Sequence, residues 1–333
     1  MTDILKHEAA MAPVDPEREL LTDPDEVNAL VTSLSPGQMV VRRFRQHKVA
    51  MVALGVFLLI ALWIILAPIT ARYGEIEILA PFNGKRGFNP PGSKAWFGTD
   101  ELNRDLYSRV IWGGRVSLFI GLTVAVFSSI IGTAVGAIAG YRGGLIDDVL
   151  MRTTDLFLAF PTLVLLLVMR NLFDNISLLS WLFGDLKSIR FIIVLLVALS
   201  WMSVARIVRG AVLSLKEREF VEASVALGSS APRIVLRHLI PNAIGPIIVS
   251  LTTSVVAAIV AESTLAFFGF GIDPVYRTSW GGLLGAAKGQ VLTGKWWMIV
   301  FPGTIFVVTI MCINFIGDAL RDAFDPKQGQ GRR

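Results

Sequence analysis

Stretches of about 20 mostly apolar residues recur along this 333-residue chain, and they decide its fold class. A helix rising 1.5 Å per residue needs about 20 residues to cross the roughly 30 Å of hydrocarbon in a bilayer. A water-soluble core has no use for repeated blocks of that length. Composition points the same way, since 53% of the residues are hydrophobic and only 17% are charged, against roughly a quarter charged in soluble domains.

The blocks place spans at Val49–Ala71, Val116–Gly140, Leu156–Val168, Phe191–Ile207, Ala243–Ala261 and Trp297–Ile316, the third being short. The expected fold is therefore an all-α integral membrane protein with six transmembrane helices. Residues 1–38, polar and punctuated by Pro13, Pro16, Pro24 and Pro36, are expected to form a flexible cytoplasmic tail with at most a short helix near Glu26–Leu34. No signal peptide is expected before the first apolar block. Residues 39–48 mix Met39, Val40, Val41 and Phe44 with Arg42, Arg43, Arg45 and Lys48, which suits an interfacial helix on the cytoplasmic side. The first span, 49–71, leads into an extracytoplasmic loop over 72–115. Residues 116–320 then hold the other five spans, and 321–333 form a cytoplasmic tail. The connection Val208–Asn242 carries Arg209, Lys216, Arg218, Arg233 and Arg237, and the positive-inside rule puts it, with Tyr141–Asp155, in the cytoplasm. The seven basic residues in 72–115 pull the other way, although long loops weigh less in that rule.

Several functions are excluded by what the chain lacks. Its net charge of +5 is spread between apolar blocks and beside their ends, where headgroups and topology account for it, and no nucleic-acid motif accompanies it. The single cysteine, Cys312, lies inside an apolar block, so neither a disulfide framework nor a cysteine-rich metal site is expected. The middles of the spans carry no Asp, Glu, His, Lys or Arg to bind a coupling ion. Glu262 and Asp318 fall at span ends, where headgroups and water can solvate them; Glu262 is placed near the outer end of the fifth span, as a gate residue or a headgroup anchor.

Gly289 to Lys295 matches a phosphate loop as far as its lysine, but Trp296 replaces the hydroxyl that would reach magnesium. The glycines Gly269 and Gly271 lack dinucleotide spacing and read as a turn leaving the membrane. His7, His47 and His238 have no catalytic partner in sequence, and the sequon Asn175-Ile176-Ser177 matters only in a eukaryotic secretory route. No catalytic residue, cofactor or metal is therefore expected, and the chain is not read as an enzyme.

Two patterns remain. In the second span Gly132, Gly136 and Gly140 recur every four residues, leaving one helix face nearly bare backbone for close helix packing. Between the fourth and fifth spans, Glu219–Pro241 reads as helix, turn, helix, stop. Val221, Val225 and Leu227 give the first piece an apolar side, and Gly228 suits a left-handed helix end. Ser230 can cap the second piece, with Pro232 in its first turn. An amphipathic loop on the headgroups would share these features.

The spacing of Glu222-Ala223-Ser224, Gly228 six residues after the glutamate and Pro241 thirteen after the glycine resembles the cytoplasmic loop of ABC-importer permeases, written Glu-Ala-Ala, Gly and Ile-x-Leu-Pro. Ser224, His238 and Ile240 are mild departures. Gly98-Thr99-Asp100, Arg104-Asp105, Ser108-Arg109 and Gly114 to Leu118 are similar to the dipeptide and oligopeptide branch, and Asn103 stands where that branch usually has glycine. Gly140 to Gly144, Phe160-Pro161, Phe267 to Gly271, Trp280-Gly281 and Asp322 to Pro326 extend the likeness over roughly Arg42 to Pro326.

The resemblance implies a permease subunit of the bacterial inner membrane that forms half of a translocation path. A second permease would complete a heterodimer, two ABC ATPase subunits would power it, and an extracytoplasmic peptide-binding protein would deliver di- or oligopeptides. Nickel, sugars or peptide-like antibiotics are alternative cargoes. An ATP-independent channel or carrier and a structural scaffold are the alternative classes. Within the favoured reading, Glu222 is a polar contact of the coupling helix, Ala223 and Ser224 permit close approach, and Gly228 sets its angle.

Overall fold

The structure, a computed structural model, describes residues 36–81, 87–174, 188–272 and 277–325. The expectations for residues 1–35, for the sequon at 175–177 and for the last residues of the chain lie outside them. The described residues form helices α1 (Pro36–Gln46), α2 (Lys48–Ile65), α3 (Ala67–Thr70), α4 (Leu106–Arg142), α5 (Gly144–Leu158), α6 (Thr162–Asp174), α7 (Ile189–Lys216), α8 (Glu219–Ala226), α9 (Ala231–Ile234), α10 (Ile240–Asn242), α11 (Ile244–Phe267), α12 (Trp280–Ala287) and α13 (Trp297–Phe324). A π-helical turn, Val235–Leu239, joins α9 to α10.

Among the described residues, five helices are long and apolar enough to cross a membrane alone: α2, α4, α7, α11 and α13. The pair α5 and α6 supplies a sixth span if counted as one, but it is bent by 92°. Pro161 lies at the break. Its ring blocks α-helical geometry in the residue before it and it has no N–H to donate, so α5 cannot run straight into α6. The connection expected at Tyr141–Asp155 is largely helical for the same reason: the apolar block is only the second half of a longer bent unit.

Capping moves other boundaries. The second span was expected from Val116, yet α4 begins at Leu106, ten residues inside the expected outer loop. Asp105 caps it, its carboxylate accepting from the Ser108 amide at 2.9 Å and the Ser108 hydroxyl at 2.7 Å. Ser188 caps α7 through the Phe191 amide, and Ser279 caps α12 through the Gly282 amide. The sixth span continues past Ile316 to Phe324, through residues assigned to the tail. The first span ends at Ile65 rather than Ala71, because Pro68 starts the short helix α3.

The bundle is organised around α4, which packs along α7 and α11; α11 packs in turn on α12 and α13, and α2 lies against α13 and α4. Three apolar clusters stack along it. One joins Ile64, Leu106, Trp280 and Trp297 near the start of α4. A middle one joins Ile120, Val124, Phe191 and Leu195. The third joins Ala137, Val204, Val208 and Val212 to the loop helices. Along the last, α7 lies directly on the glycine stripe. A Cβ built on Gly132 would lie 2.6 Å from both the Trp201 carbonyl oxygen and Val204 Cβ, and one on Gly140 would lie 3.0 Å from the Arg209 carbonyl oxygen.

Asn103 resolves the turn at which a family glycine is replaced. Its φ is +62°, a left-handed conformation that asparagine tolerates better than most residues. Its side chain also holds the turn, donating to the Leu79 and Ala80 carbonyls at 2.9 and 3.1 Å and accepting from Asn89 at 2.9 Å.

The stripe generates a matched pair of variants. Gly132→Ala forces α4 and α7 apart and is expected to lower stability by about 1–3 kcal/mol. Gly55→Ala, whose Cβ meets nothing within 4 Å, is expected to leave stability unchanged. Thermal unfolding of both in lipid nanodiscs checks the difference; equal midpoints would mean that the helices do not rely on this approach.

Candidate functional site

The loop between α7 and α11 is built as a projection anchored to the bundle at both ends. Helix α8 stops in a Schellman turn: the Ser229 amide donates to the Ser224 carbonyl at 3.1 Å and the Gly228 amide to the Val225 carbonyl at 2.9 Å. This turn requires a left-handed residue, which Gly228 supplies at φ +78°. Ser230 stands at the N-cap position ahead of α9, but its side chain makes no capping bond; Pro232 lies in the first turn of that helix.

The expectation that Val221, Val225 and Leu227 share one apolar side needs correction. Val221 is 3% exposed and packs with Val208, Val212, Ile234 and Leu239, whereas Leu227 is 86% exposed and Val225 is also exposed. Only the first turn of α8 touches the bundle, so the same stripe that anchors it there stands clear one turn later. Glu222 and Ala223 are exposed beside these residues, and Ser224 is half-buried, its hydroxyl donating to the Phe220 carbonyl at 2.8 Å. The projection thus offers a carboxylate, small residues and apolar side chains on its outer side. Pro241 lies exposed in α10, on the return to α11.

The π turn decides how the second half of the loop is anchored. Ile234 and Leu239 are both buried, at 1% and 0% exposure. Five residues apart, they would diverge on an α-helix with 3.6 residues per turn. A turn closed by i→i+5 bonds brings both to the same side.

Ion pairs that were not anticipated brace the bundle beside this loop. Arg209 on α7 donates to both carboxylate oxygens of Asp147 on α5, at 2.5 and 2.6 Å, and Arg206 pairs with Asp155. Lys216 Nζ donates to the Gly140 carbonyl at 3.3 Å, tying the end of α7 to the end of α4. None of the three partnerships is visible in linear spacing, because each joins residues more than 50 positions apart.

At the far end, the expectation for Glu262 also changes. It is 0% exposed and sits among α4, α11 and α12, whereas Asp318 is exposed as expected. The Ser117 and Ser263 hydroxyls donate to its Oε2 at 3.5 and 3.4 Å, and the Trp280 amide donates to Ser117 Oγ at 3.1 Å. Packing by α12 explains why headgroups and water do not solvate it: this short helix has no periodic signal of its own in the sequence. Gly281 lets α12 approach, since a Cβ there would collide with Ser263. Nearby, Asp100 accepts from Arg104 Nε at 2.7 Å and also pairs with Arg109, all three buried. The structure therefore keeps apart what was singled out: Glu222, Ala223, Ser224 and Gly228 share one projection, the three glycines lie under α7, and Glu262 belongs to the opposite end. No group of three or more His, Cys, Asp or Glu arranged to hold a metal occurs among the described residues.

Residues 132–330 match the family described as binding-protein-dependent transport system inner membrane component, and residues 35–91 match the N-terminal TM domain of oligopeptide transport permease C. The chain belongs to the first of these families, the inner-membrane permeases. The permease is 38% identical over 296 residues to the oligopeptide transport system permease protein OppC of Bacillus subtilis, covering 89% of this chain and 91% of that one. It is likewise 38% identical to the dipeptide transport system permease protein DppC of the same organism, covering 89% and 87%. With OppC of Haemophilus influenzae it shares 38% identity over 86% of this chain and 87% of the relative. Its fold resembles that of an inward-facing MetNI methionine ABC transporter chain, with a TM-score of 0.51 and 20% identity, over 64% of this chain and 94% of the other.

As a member of this family the permease is a multi-pass protein of the bacterial inner membrane and a transport component, not an enzyme. The buried hydroxyl cluster gives a stability test of the permease. Glu262→Ala leaves the Ser117 and Ser263 hydroxyls without their acceptor and is expected to cost about 1–3 kcal/mol, while Glu262→Gln, which keeps an acceptor, costs less. Unfolding in nanodiscs separates the two, and an alanine variant as stable as the parent would contradict the buried role.

Proposed function

We propose that this permease forms one half of the path of an ATP-driven peptide importer and that α8 is its coupling helix. The second permease, two ATPase subunits and an extracytoplasmic peptide-binding protein complete the assembly. The supporting observation is the Schellman-terminated α8, pinned by Val221 to the same cluster that joins α4 and α7, with Glu222, Val225 and Leu227 facing outward. Peptide as cargo follows from likeness to the oligopeptide and dipeptide permeases.

Mechanically, closing ATPase subunits need a stiff element to push. A helix held at its first turn, and followed by a fixed left-handed turn, transmits displacement to the ends of α4 and α7 instead of folding away. Glu222 supplies a polar contact, Ala223 and Ser224 admit close approach, and the exposed Val225 and Leu227 supply apolar area to bury. Glu262, near the other end of α11, joins the elements that would move at the outer gate. The cytoplasmic side of the membrane is then the side of α8.

Gly228→Val puts a β-branched residue in a left-handed position, a strain of about 1–3 kcal/mol that re-aims α9. Together with Glu222→Ala, it is expected to leave insertion and pairing with the second permease intact while abolishing binding-protein-stimulated ATP hydrolysis and uptake in proteoliposomes. Wild-type activity in both variants would remove α8 from the coupling role. Orientation is checked separately with single cysteines in a Cys312→Ala background. An impermeant maleimide is expected to label Ser93→Cys in intact cells and Ser230→Cys only in inverted vesicles; the opposite pattern would reverse the topology.

A further inference from the structure

The end of the bundle opposite α8 carries a cleft of about 410 Å3 lined by Glu75, Trp112, Arg115, Phe119, Ile189 and Arg277, among others. Its size falls within the roughly 300–1,000 Å3 typical of small-molecule sites. Several arginines packed within the bundle are neutralised by carboxylates. Arg104 and Arg109 pair with Asp100, Arg206 with Asp155 and Arg209 with Asp147. Arg115 and Arg277 both border the cleft, and neither forms an ion pair with a described carboxylate.

The surroundings hold the other groups in place. Arg115 lies over the Trp112 ring, 5.2 Å from its centroid, and the indole N–H donates to the Tyr73 carbonyl at 3.4 Å. Glu75 is half-buried, and its Oε1 accepts from the Thr278 amide at 2.7 Å, which fixes the carboxylate at the rim. The cleft thus presents two guanidinium groups, one positioned carboxylate and an aromatic and aliphatic wall. Guanidinium groups match a carboxylate through paired N–H donors, a carboxylate accepts from an ammonium, and the wall covers backbone and apolar side chains between them.

We infer that this cleft is a binding subsite for a short zwitterionic peptide entering the path: Arg115 and Arg277 take its C-terminal carboxylate and Glu75 its N-terminal ammonium. The inference rests on the peptide-import reading and adds to it a place where this chain itself touches cargo.

The test uses the full chain in nanodiscs and saturation-transfer NMR with trialanine, its C-terminal amide and its N-acetyl derivative. Trialanine is expected to receive saturation. Amidation, or the double change Arg115→Gln and Arg277→Gln, weakens binding about tenfold or more, the loss of a charge-assisted hydrogen-bond pair. Acetylation and Glu75→Gln, which keeps an acceptor for the Thr278 amide, weaken it less. Equal signals from all three peptides, or no change in the double variant, would overturn the subsite. Uptake of trialanine by a host strain lacking this permease and complemented with each form separates the two readings. If the wild-type chain restores uptake and the double variant binds and transports as well, the subsite falls alone. If the wild-type chain restores no peptide uptake, the import reading falls with it.

Discussion

Lipid offers no hydrogen bonds, so every backbone N–H and C=O within the membrane must find a partner inside the protein. That constraint explains where this chain is regular and where it is not. Helix α2, with only Ala50, Ala53, Ile60 and Ile64 buried, runs unbroken over Lys48–Ile65. Irregular backbone is covered at the short α12, wedged between α11, α13 and α4, whereas the bend before Pro161 lies on the surface of this chain. Charges obey the same logic. Buried Arg104 and Arg109 share Asp100, an arrangement tolerable only while all three remain together, because removing one partner leaves an uncompensated buried charge.

The same helices join the two ends of the molecule. At 1.5 Å per residue the 37 residues of α4 extend about 55 Å, so one rod carries Trp112 and Arg115 at the cleft and Ala137 in the cluster beneath α8. Its first half bears Ser117, whose hydroxyl donates to Glu262, and Gly121, whose missing side chain admits Ile259. On the coupling proposal, a displacement of the loop would reach the cleft along this one helix, with α7 braced to α5 by Asp147 and Arg209.

Much of this was legible in the residues, and what was not has physical causes. Apolar blocks revealed the helical membrane fold because lipid imposes a length, and Gly228 revealed a left-handed turn because few other residues take one at low cost. Boundaries were less legible. The Asp105 cap that starts α4 ten residues early relies on a polar residue within an otherwise loop-like stretch, and the bend at Pro161 split a span that hydropathy saw only in part. The burial of Glu262 could not be read at all, since it depends on α12 folding back over it from outside the span. Val225 and Leu227 obeyed the apolar pattern of α8 yet face away from the bundle, because a pattern identifies a stripe and not what will cover it.

The close approach of α7 to Gly132, Gly136 and Gly140 of α4 has a consequence in time as well as in space. About 70 residues separate Gly136 from Ala205, its contact on α7. At a synthesis rate of roughly 5–20 residues per second, the stripe emerges some 4–14 s before the helix that covers it. Through that interval glycine exposes only a shallow groove whose amides are already bonded within α4. A stripe of polar residues would have waited for its partner in hydrocarbon with its hydrogen bonds unmade; a bare one can wait at little cost until α7 arrives.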